Sequence, residues 1–404
     1  MMKKSNRFTD NTWLFATLII VSFLLFIKIG LFVVGDLANN MSFFCGKCHD
    51  TNVLWSQNIV RGTNSVWQTW DAQNYLYLAE HWYTPNHKSI AFYPLLPILI
   101  RVGWFIFGTS FWSAQLIATF LSIAAAIGLY SAMRILTSHT IALWSTLLYI
   151  TFPTAFFLHL IYTESLFILL VSCVIISVKK QYPIGTALAS CLLVLTRSHG
   201  TIALCGIIIA SLFWEYANTQ RPRYNTHWRI TLLALIIGSL TGAVLYFYNM
   251  FLFTGSPTAG FAIQKEFGSQ FSWLYVLHPI RWIQDALLSD GLFMSINKSI
   301  ISRALLYVSF IGSIFVWKSR SMKPFFPMVI GLILFSALPG TLASYTRYAL
   351  ALFPIFPAIV ERAIDTPNQS QKIIGYGIII AFGIISLILQ LLLFFYHANN
   401  LWIG

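Results

Sequence analysis

Long apolar stretches constrain this chain more than any other feature of its sequence. Several of them, such as Trp13 to Val34, Ile230 to Phe253 and Ile373 to Phe395, approach the roughly 20 residues that a helix needs to cross a bilayer. Of the 404 residues, 57% are hydrophobic and only 9% are charged, whereas soluble domains are about 25% charged. These observations exclude a soluble globule and predict an all-α polytopic membrane protein.

The apolar segments predict about eleven transmembrane helices within a single domain, 1–404. The spans are expected at 13–35, 112–134, 140–158, 164–178, 183–199, 200–214, 230–253, 301–317, 324–341, 347–362 and 373–397. This divides the domain into a first span (13–35), an outer loop (36–111), a helical bundle (112–253), a second outer loop (254–300) and the C-terminal spans (301–397). Long connections of this kind often carry function.

Basic residues indicate the orientation. Lys3, Lys4 and Arg7 precede a first span that is too long for a signal-peptide core, so we expect this span to be retained with its start in the cytoplasm. The segment 92–107 is short, contains two prolines and carries Arg101 near its middle. If it lies along the membrane surface, the later basic loops fall on the cytoplasmic side. We therefore predict juxtamembrane helices in the first outer loop, and we attribute the net charge of +13 to the membrane rather than to nucleic acid.

Residues 66–83 predict an aromatic-rich helix on the outer membrane surface. Asp71 falls beside its apolar stripe, whereas Glu80 points to the opposite side of a straight helix. Asp71 is interpreted either as a helix-capping or solvated residue or as a general base. A carboxylate against an apolar stripe at the mouth of a bundle loses solvation and becomes more basic, as a general base requires.

Further polar residues interrupt apolar segments on the same predicted outer side. They are Lys88, Arg101, Glu164, Arg197 and Arg347. Taken singly, the cations could anchor the protein at the lipid headgroups, and the carboxylate could pair with a neighbouring arginine. Together, outer-leaflet cations around one carboxylate suit a lipid-phosphate substrate, since arginine binds phosphate through charge-assisted, bidentate hydrogen bonds.

Several short motifs resemble, in order and spacing, the GPI mannosyltransferase 2 (PIG-V) family and its prokaryotic relatives. They are Trp70-Asp71-Ala72, Ala79-Glu80-His81, Ala91-Phe92-Tyr93-Pro94 with Pro97, Tyr162-Thr163-Glu164-Ser165, Thr196-Arg197-Ser198-His199-Gly200 and, more weakly, Arg347-Tyr348 with Phe353-Pro354. The resemblance runs from about residue 66 to 205. The WDA, AEH and FYP motifs together are specific, and the residues before Trp67 match nothing in the family.

The resemblance implies a GT-C fold and a glycosyltransferase that takes a sugar, mannose in this family, from a polyprenyl-phosphate or dolichyl-phosphate carrier. Asp71 matches the family's general base in the first outer loop. On chemical grounds we expect Arg197 and Arg347, with Lys88 or Arg101, to hold the departing phosphate of an inverting reaction. The remaining motif residues, expected to orient the sugar or the acceptor, are Glu80, His81 and Glu164.

The first outer loop contains a segment that fits the pattern of covalent c-type haem attachment, Cys45-Gly46-Lys47-Cys48-His49. Three positions define this pattern, and nothing nearby identifies an axial ligand. A disulfide between Cys45 and Cys48 is the preferred interpretation, and covalent haem, a metal site or free thiols are the alternatives. We expect no cofactor and no metal for the transfer reaction itself.

Two other functional classes compete with the transferase. A polyprenyl-lipid flippase or transporter would share the bundle and the cationic groove, although transporters typically show paired repeats with sites near the midplane. A haem-bearing membrane protein depends on the cysteine motif alone. For the transferase, the expected partners are a polyprenyl-phosphate sugar, a glycolipid or glycan acceptor, and the lipid bilayer. The predicted location is a prokaryotic plasma membrane with the active site outside.

Overall fold

In the computed structural model, residues 5–40, 65–217, 226–264, 300–338, 342 and 344–399 are described, and every regular element in these ranges is a helix. The α-helices are α1 (Ser5–Asn40), α2 (Asp71–His81), α3 (Leu95–Phe107), α4 (Ser110–Leu136), α5 (His139–Thr151), α6 (Glu164–Lys179), α7 (Pro183–Val194), α8 (His199–Ala217), α9 (Thr226–Thr254), α10 (Ala259–Ile263), α11 (Ile300–Lys318), α12 (Phe326–Ala337), α13 (Tyr345–Tyr348), α14 (Ile355–Ile364) and α15 (Gln369–Ala398). Short 3-10 helices lie at Ser65–Trp67, Lys88–Ala91, Ala155–His159, Lys323–Phe325 and Ala349–Leu352.

Five helices within the described ranges are long and apolar enough to cross a bilayer, as expected of a multi-pass membrane protein. They contain the segments Asn11–Ala38, Ser110–Leu136, Thr226–Thr254, Ile301–Lys318 and Gln369–Ala398. Shorter apolar helices, including α3, α7 and α8, pack among them. The total of about eleven spans stays a prediction, as does the juxtamembrane position of α3.

Prolines interrupt two of the predicted spans. Helix α5 ends at Thr151 rather than at 158, because Phe152 precedes Pro153 and adopts an extended conformation with ψ 144°. The predicted span 347–362 is divided into α13, a 3-10 helix and α14, and Pro354 directly precedes α14. Short segments and turns therefore replace continuous helix at positions close to Glu164 and Arg347.

The predicted helix over 66–83 is shorter than expected and is enclosed by protein. Trp70 (φ 57°) and Trp82 (φ 65°) have left-handed backbone conformations and limit α2 to Asp71–His81. Most of α2 is buried against α3, α4 and the 3-10 helix at Lys88–Ala91. Among the aromatic side chains of the predicted helix, Trp70 and Tyr75 are buried, and the Tyr75 ring meets the Phe92 ring edge-on at 5.2 Å. The position of this helix on the outer membrane surface stays a prediction.

Helices α7 and α9 approach closely through small residues. Gly238 and Gly242 are four residues apart on α9, and each lies directly over a backbone carbonyl of α7, from Ala187 and Cys191 respectively. A side chain at either glycine would overlap that carbonyl. Small residues at this spacing let two membrane helices pack backbone to backbone, which stabilises them where lipid provides no hydrophobic driving force. Helix α7 in turn packs on α6 and α8, which border the site described below.

We expect Gly242→Ile to destabilise the protein by about 1–3 kcal/mol, because overpacking separates α7 from α9. Thermal unfolding of the purified protein in detergent measures this effect. Gly377→Ile is the matched control, since no atom lies within 4 Å of a side chain placed there. Equal melting temperatures for Gly242→Ile and the control would contradict the backbone-to-backbone packing of these two helices.

Candidate active site

Two carboxylates and two guanidinium groups form one buried cluster. Arg347 donates from Nη1 to Asp71 Oδ2, and Arg197 donates from Nη1 to Glu164 Oε1 over 2.8 Å. Arg347 Nε also lies 3.9 Å from Glu164 Oε1, so the two ion pairs are joined. The four side chains are between 2% and 11% exposed. The structure thus brings together four sequence-predicted site residues that are spread over 276 positions of the chain.

Both carboxylates stand at helix N-termini. Asp71 is the first residue of α2 and Glu164 is the first residue of α6. The positive end of a helix dipole favours an anion at this position. The two arginines come from short connections, because Arg197 lies in the turn between α7 and α8 and Arg347 lies in the one-turn helix α13. Helix starts and the short segments between helices therefore position all four charges.

Tyr348 contacts both guanidinium groups. Its ring centroid is 4.9 Å from Arg197 Cζ and 5.3 Å from Arg347 Cζ, so both cations interact with the same π system. The His199 ring lies 4.2 Å from the Tyr348 ring, and His199 Nε2 is 3.0 Å from Ser336 Oγ. Contact with the Tyr348 ring therefore stabilises both guanidinium groups in the cluster.

Two tyrosines support the carboxylate side of the cluster. The backbone N–H of Asp71 donates to the Tyr162 hydroxyl over 3.3 Å, and the Tyr75 hydroxyl lies 3.3 Å from Thr163 Oγ1. Burial, followed by the charge of Asp71, raises the pKa of both Tyr162 and Tyr75. Both phenols are therefore neutral and remain hydrogen-bond donors.

Backbone conformations that are unusual for residues other than glycine flank the cluster. Trp70, directly before Asp71, has φ 57° and ψ −128°, and Ser344, at the start of α13, has φ 69°. Such conformations cost about 1–3 kcal/mol each and concentrate at functional sites. Here they precede Asp71 and Arg347, the two partners of one ion pair.

The other predicted site residues lie outside this cluster. Glu80 is near the opposite end of α2, where it accepts a hydrogen bond from Ser110 and lies 3.8 Å from the exposed His81. Lys88 and Arg101 are exposed, and no hydrogen bond or ion pair joins them to the cluster. Arg101 and His81 instead line a separate groove with Trp82 and Phe253. The predicted contribution of Lys88 or Arg101 to phosphate binding thus has no support from these positions.

The sequence analysis missed His397, which is buried at the end of α15. Its ring lies among five aromatic side chains that include Trp70 and Tyr162. A single histidine after a long apolar run carries no motif signal. Cys45 and Cys48 lie outside the described residues, as does most of the second outer loop. Within the described ranges, no group of three or more His, Cys, Asp or Glu side chains is arranged to hold a metal ion.

No protein-family model matches the sequence, and no curated protein matches it either. Solved structures do show a likeness to it. The oligosaccharyltransferase of Archaeoglobus fulgidus, crystallised in the apo form, is 13% identical and superposes with a TM-score of 0.52 over 93% of this chain and 56% of that chain. Its complex with Zn and sulfate gives 13% identity and a TM-score of 0.49 over 90% and 52% of the two chains. The A. fulgidus enzyme AglB with an inhibitory peptide and a dolichol-phosphate gives 14% identity and a TM-score of 0.45 over 90% and 55%.

The likeness to the apo enzyme establishes the fold class. The described helices have the GT-C-type arrangement that the sequence predicts, and the chain spans a little over half the length of the archaeal enzyme. At 13% identity the likeness concerns the fold alone. Membership of the PIG-V-like family stays a prediction.

Proposed function

We propose that this protein is a membrane glycosyltransferase that moves a sugar from a polyprenyl-phosphate carrier to a lipid-linked or glycan acceptor. The sugar is mannose on the basis of the family resemblance, and the reaction inverts the anomeric centre with Asp71 as the general base. The observation that carries the proposal is the buried cluster of Asp71, Glu164, Arg197 and Arg347. The fold shared with an oligosaccharyltransferase supports it.

The cluster supplies a base and an anion site next to each other. Each guanidinium group has five N–H donors, and its hydrogen bond within the cluster uses a single nitrogen. The remaining donors of Arg197 and Arg347 can bind a phosphate bidentately. Since charge-assisted hydrogen bonds are stronger where water is excluded, burial favours phosphate binding at this position.

In the proposed reaction, the acceptor hydroxyl transfers its proton to Asp71 as its oxygen attacks the anomeric carbon of the donor sugar. A new carbon–oxygen bond forms, and the bond between the anomeric carbon and the phosphate oxygen breaks. The electron pair of that bond remains on the phosphate, which leaves as the polyprenyl phosphate. A phosphate leaving group requires positive charge rather than a strong acid, and the two arginines supply this charge.

The ion pair between Asp71 and Arg347 couples the two halves of this reaction. As Asp71 gains a proton it becomes neutral, while the departing phosphate gains one negative charge. Arg347 therefore loses one anionic partner at the moment when a second anion forms beside it. Negative charge moves from the carboxylate to the phosphate within the same buried site, so the site as a whole gains no net charge.

The proposed location is a prokaryotic plasma membrane with the cluster facing outside. The main alternative, a polyprenyl-lipid flippase, uses the same bundle and cations but leaves the bond between sugar and phosphate intact. Cleavage of that bond therefore distinguishes the two functions.

We expect purified protein in nanodiscs to release polyprenyl phosphate from polyprenyl phosphate [³H]mannose when a lipid and glycan extract of its host membrane is added. The label should enter the extract in amounts equal to the phosphate released, and GDP-[³H]mannose should give no product. In sealed vesicles that contain the protein, movement of the intact donor lipid from one leaflet to the other without cleavage would overturn the proposal. Direct use of the nucleotide sugar would also overturn it.

A further inference from the structure

His397 is a fully enclosed imidazole with unused hydrogen-bonding groups. It is 2% exposed, and neither Nδ1 nor Nε2 has a hydrogen-bond partner among the residues that the structure describes. Buried polar groups in proteins are nearly always paired, because an unmet donor or acceptor away from water costs free energy. An apolar ring would fill the same space without this cost. The histidine therefore requires an explanation beyond packing.

The position of His397 connects it to the proposed active site. Its ring centroid lies 6.5 Å from that of Trp70, the residue before Asp71, and 6.4 Å from that of Tyr162, whose hydroxyl binds the Asp71 backbone. His397 and Asp71 thus share two neighbours, Trp70 and Tyr162, and the unpaired imidazole lies one residue layer from the cluster.

The chemistry of His397 differs from that of the four charged residues. Ionised Asp71 and Glu164 accept hydrogen bonds and donate none, and the two arginines only donate. A neutral imidazole has one donor and one acceptor nitrogen. A sugar hydroxyl likewise donates and accepts, whereas a phosphate diester only accepts. The imidazole is therefore complementary to a hydroxyl rather than to the phosphate.

We infer that His397 is a substrate-binding residue that hydrogen-bonds a sugar hydroxyl in the cluster of Asp71, Glu164, Arg197 and Arg347. The inference rests on the proposed function. The hydroxyl belongs either to the sugar of the donor or to a sugar acceptor, since both must approach Asp71. The aromatic side chains around the imidazole exclude water, which makes the hydrogen bond selective for a ligand that brings its own hydroxyl.

Binding measurements with three probes test this inference. The probes are polyprenyl phosphate mannose, bare polyprenyl phosphate and methyl α-mannoside, each titrated against the wild type and His397→Phe in nanodiscs. We expect His397→Phe to weaken binding of polyprenyl phosphate mannose about tenfold and to leave binding of polyprenyl phosphate unchanged. A loss confined to methyl α-mannoside would also support the inference and would assign the hydroxyl to the acceptor.

Two further variants separate hydrogen bonding from packing. His397→Gln keeps a donor and an acceptor and should restore most of the affinity, whereas His397→Met fills the aromatic space without hydrogen bonds and should behave like His397→Phe. His139→Phe, at the start of α5, is the matched control and should bind all three probes as the wild type does.

Equal affinities of wild type and His397→Phe for all three probes would overturn the inference, and so would equal losses for the two lipids. Wild-type protein that binds neither lipid would instead overturn the proposed function, and the inference with it. The wild-type titration thus distinguishes the two failures.

Discussion

Asp71→Asn should lower the rate of sugar transfer by about 10²–10⁴-fold, the range expected for loss of a general base. Asparagine has the same shape and its amide oxygen still accepts a hydrogen bond from Arg347, so the cluster stays assembled. The amide cannot take the proton of the acceptor hydroxyl. Initial rates of [³H]mannose transfer, measured at equal amounts of folded protein, give the size of the effect.

Asp365→Asn provides the control for this substitution. Asp365 is exposed and follows the last residue of α14, and its side chain is not part of the cluster, so its variant should transfer sugar at the wild-type rate. Near-normal transfer by folded Asp71→Asn would show that another group, or none, removes the proton.

Breaking the ion pair between Glu164 and Arg197 should cost about 3–5 kcal/mol of stability, because the charge that remains stays buried and loses its hydrogen-bonded partner. Either Glu164→Leu or Arg197→Met removes one member of the pair, whose side chains are 2% and 10% exposed. The double variant replaces both charges with apolar groups and should be more stable than either single variant. Sugar transfer should be lost in all three.

Unfolding of detergent-purified variants tests this order of stabilities. Arg362→Met, the same substitution at an exposed position, should change stability little and leave transfer intact. If the double variant lost the sum of the two single losses, the two side chains would act independently. If the double variant recovers stability but transfers no sugar, the ion pair between Glu164 and Arg197 serves substrate binding and not folding alone.

The sequence predicts the apolar helices well, because length and hydrophobicity are local properties. It also points to Asp71, Glu164, Arg197 and Arg347, since charges are costly within apolar segments and therefore stand out. The ion pair between Asp71 and Arg347 could not be predicted, because their 276-residue separation leaves no spacing rule to join them.

Other features depend on tertiary structure alone. The left-handed conformation of Trp70 is not a preference of tryptophan, so only the surrounding packing enforces it. His397 carries no recognisable motif, and its significance follows from its burial without a hydrogen-bond partner in the described part of the chain. Four other residues were predicted from motif or charge, but the structure places them away from the cluster. They are Glu80, His81, Lys88 and Arg101.

The distance in sequence between Asp71 and Arg347 also determines when the protein can become active during biosynthesis. The two residues are 276 positions apart, so at about 5–20 residues per second a ribosome needs roughly 14–55 s to add the arginine after the aspartate. Until then the carboxylate sits in a partly inserted chain without its counter-ion. A nascent polypeptide that stalls before Arg347 therefore lacks the complete cluster, and the proposed transfer reaction requires that this part of the chain has been made and inserted.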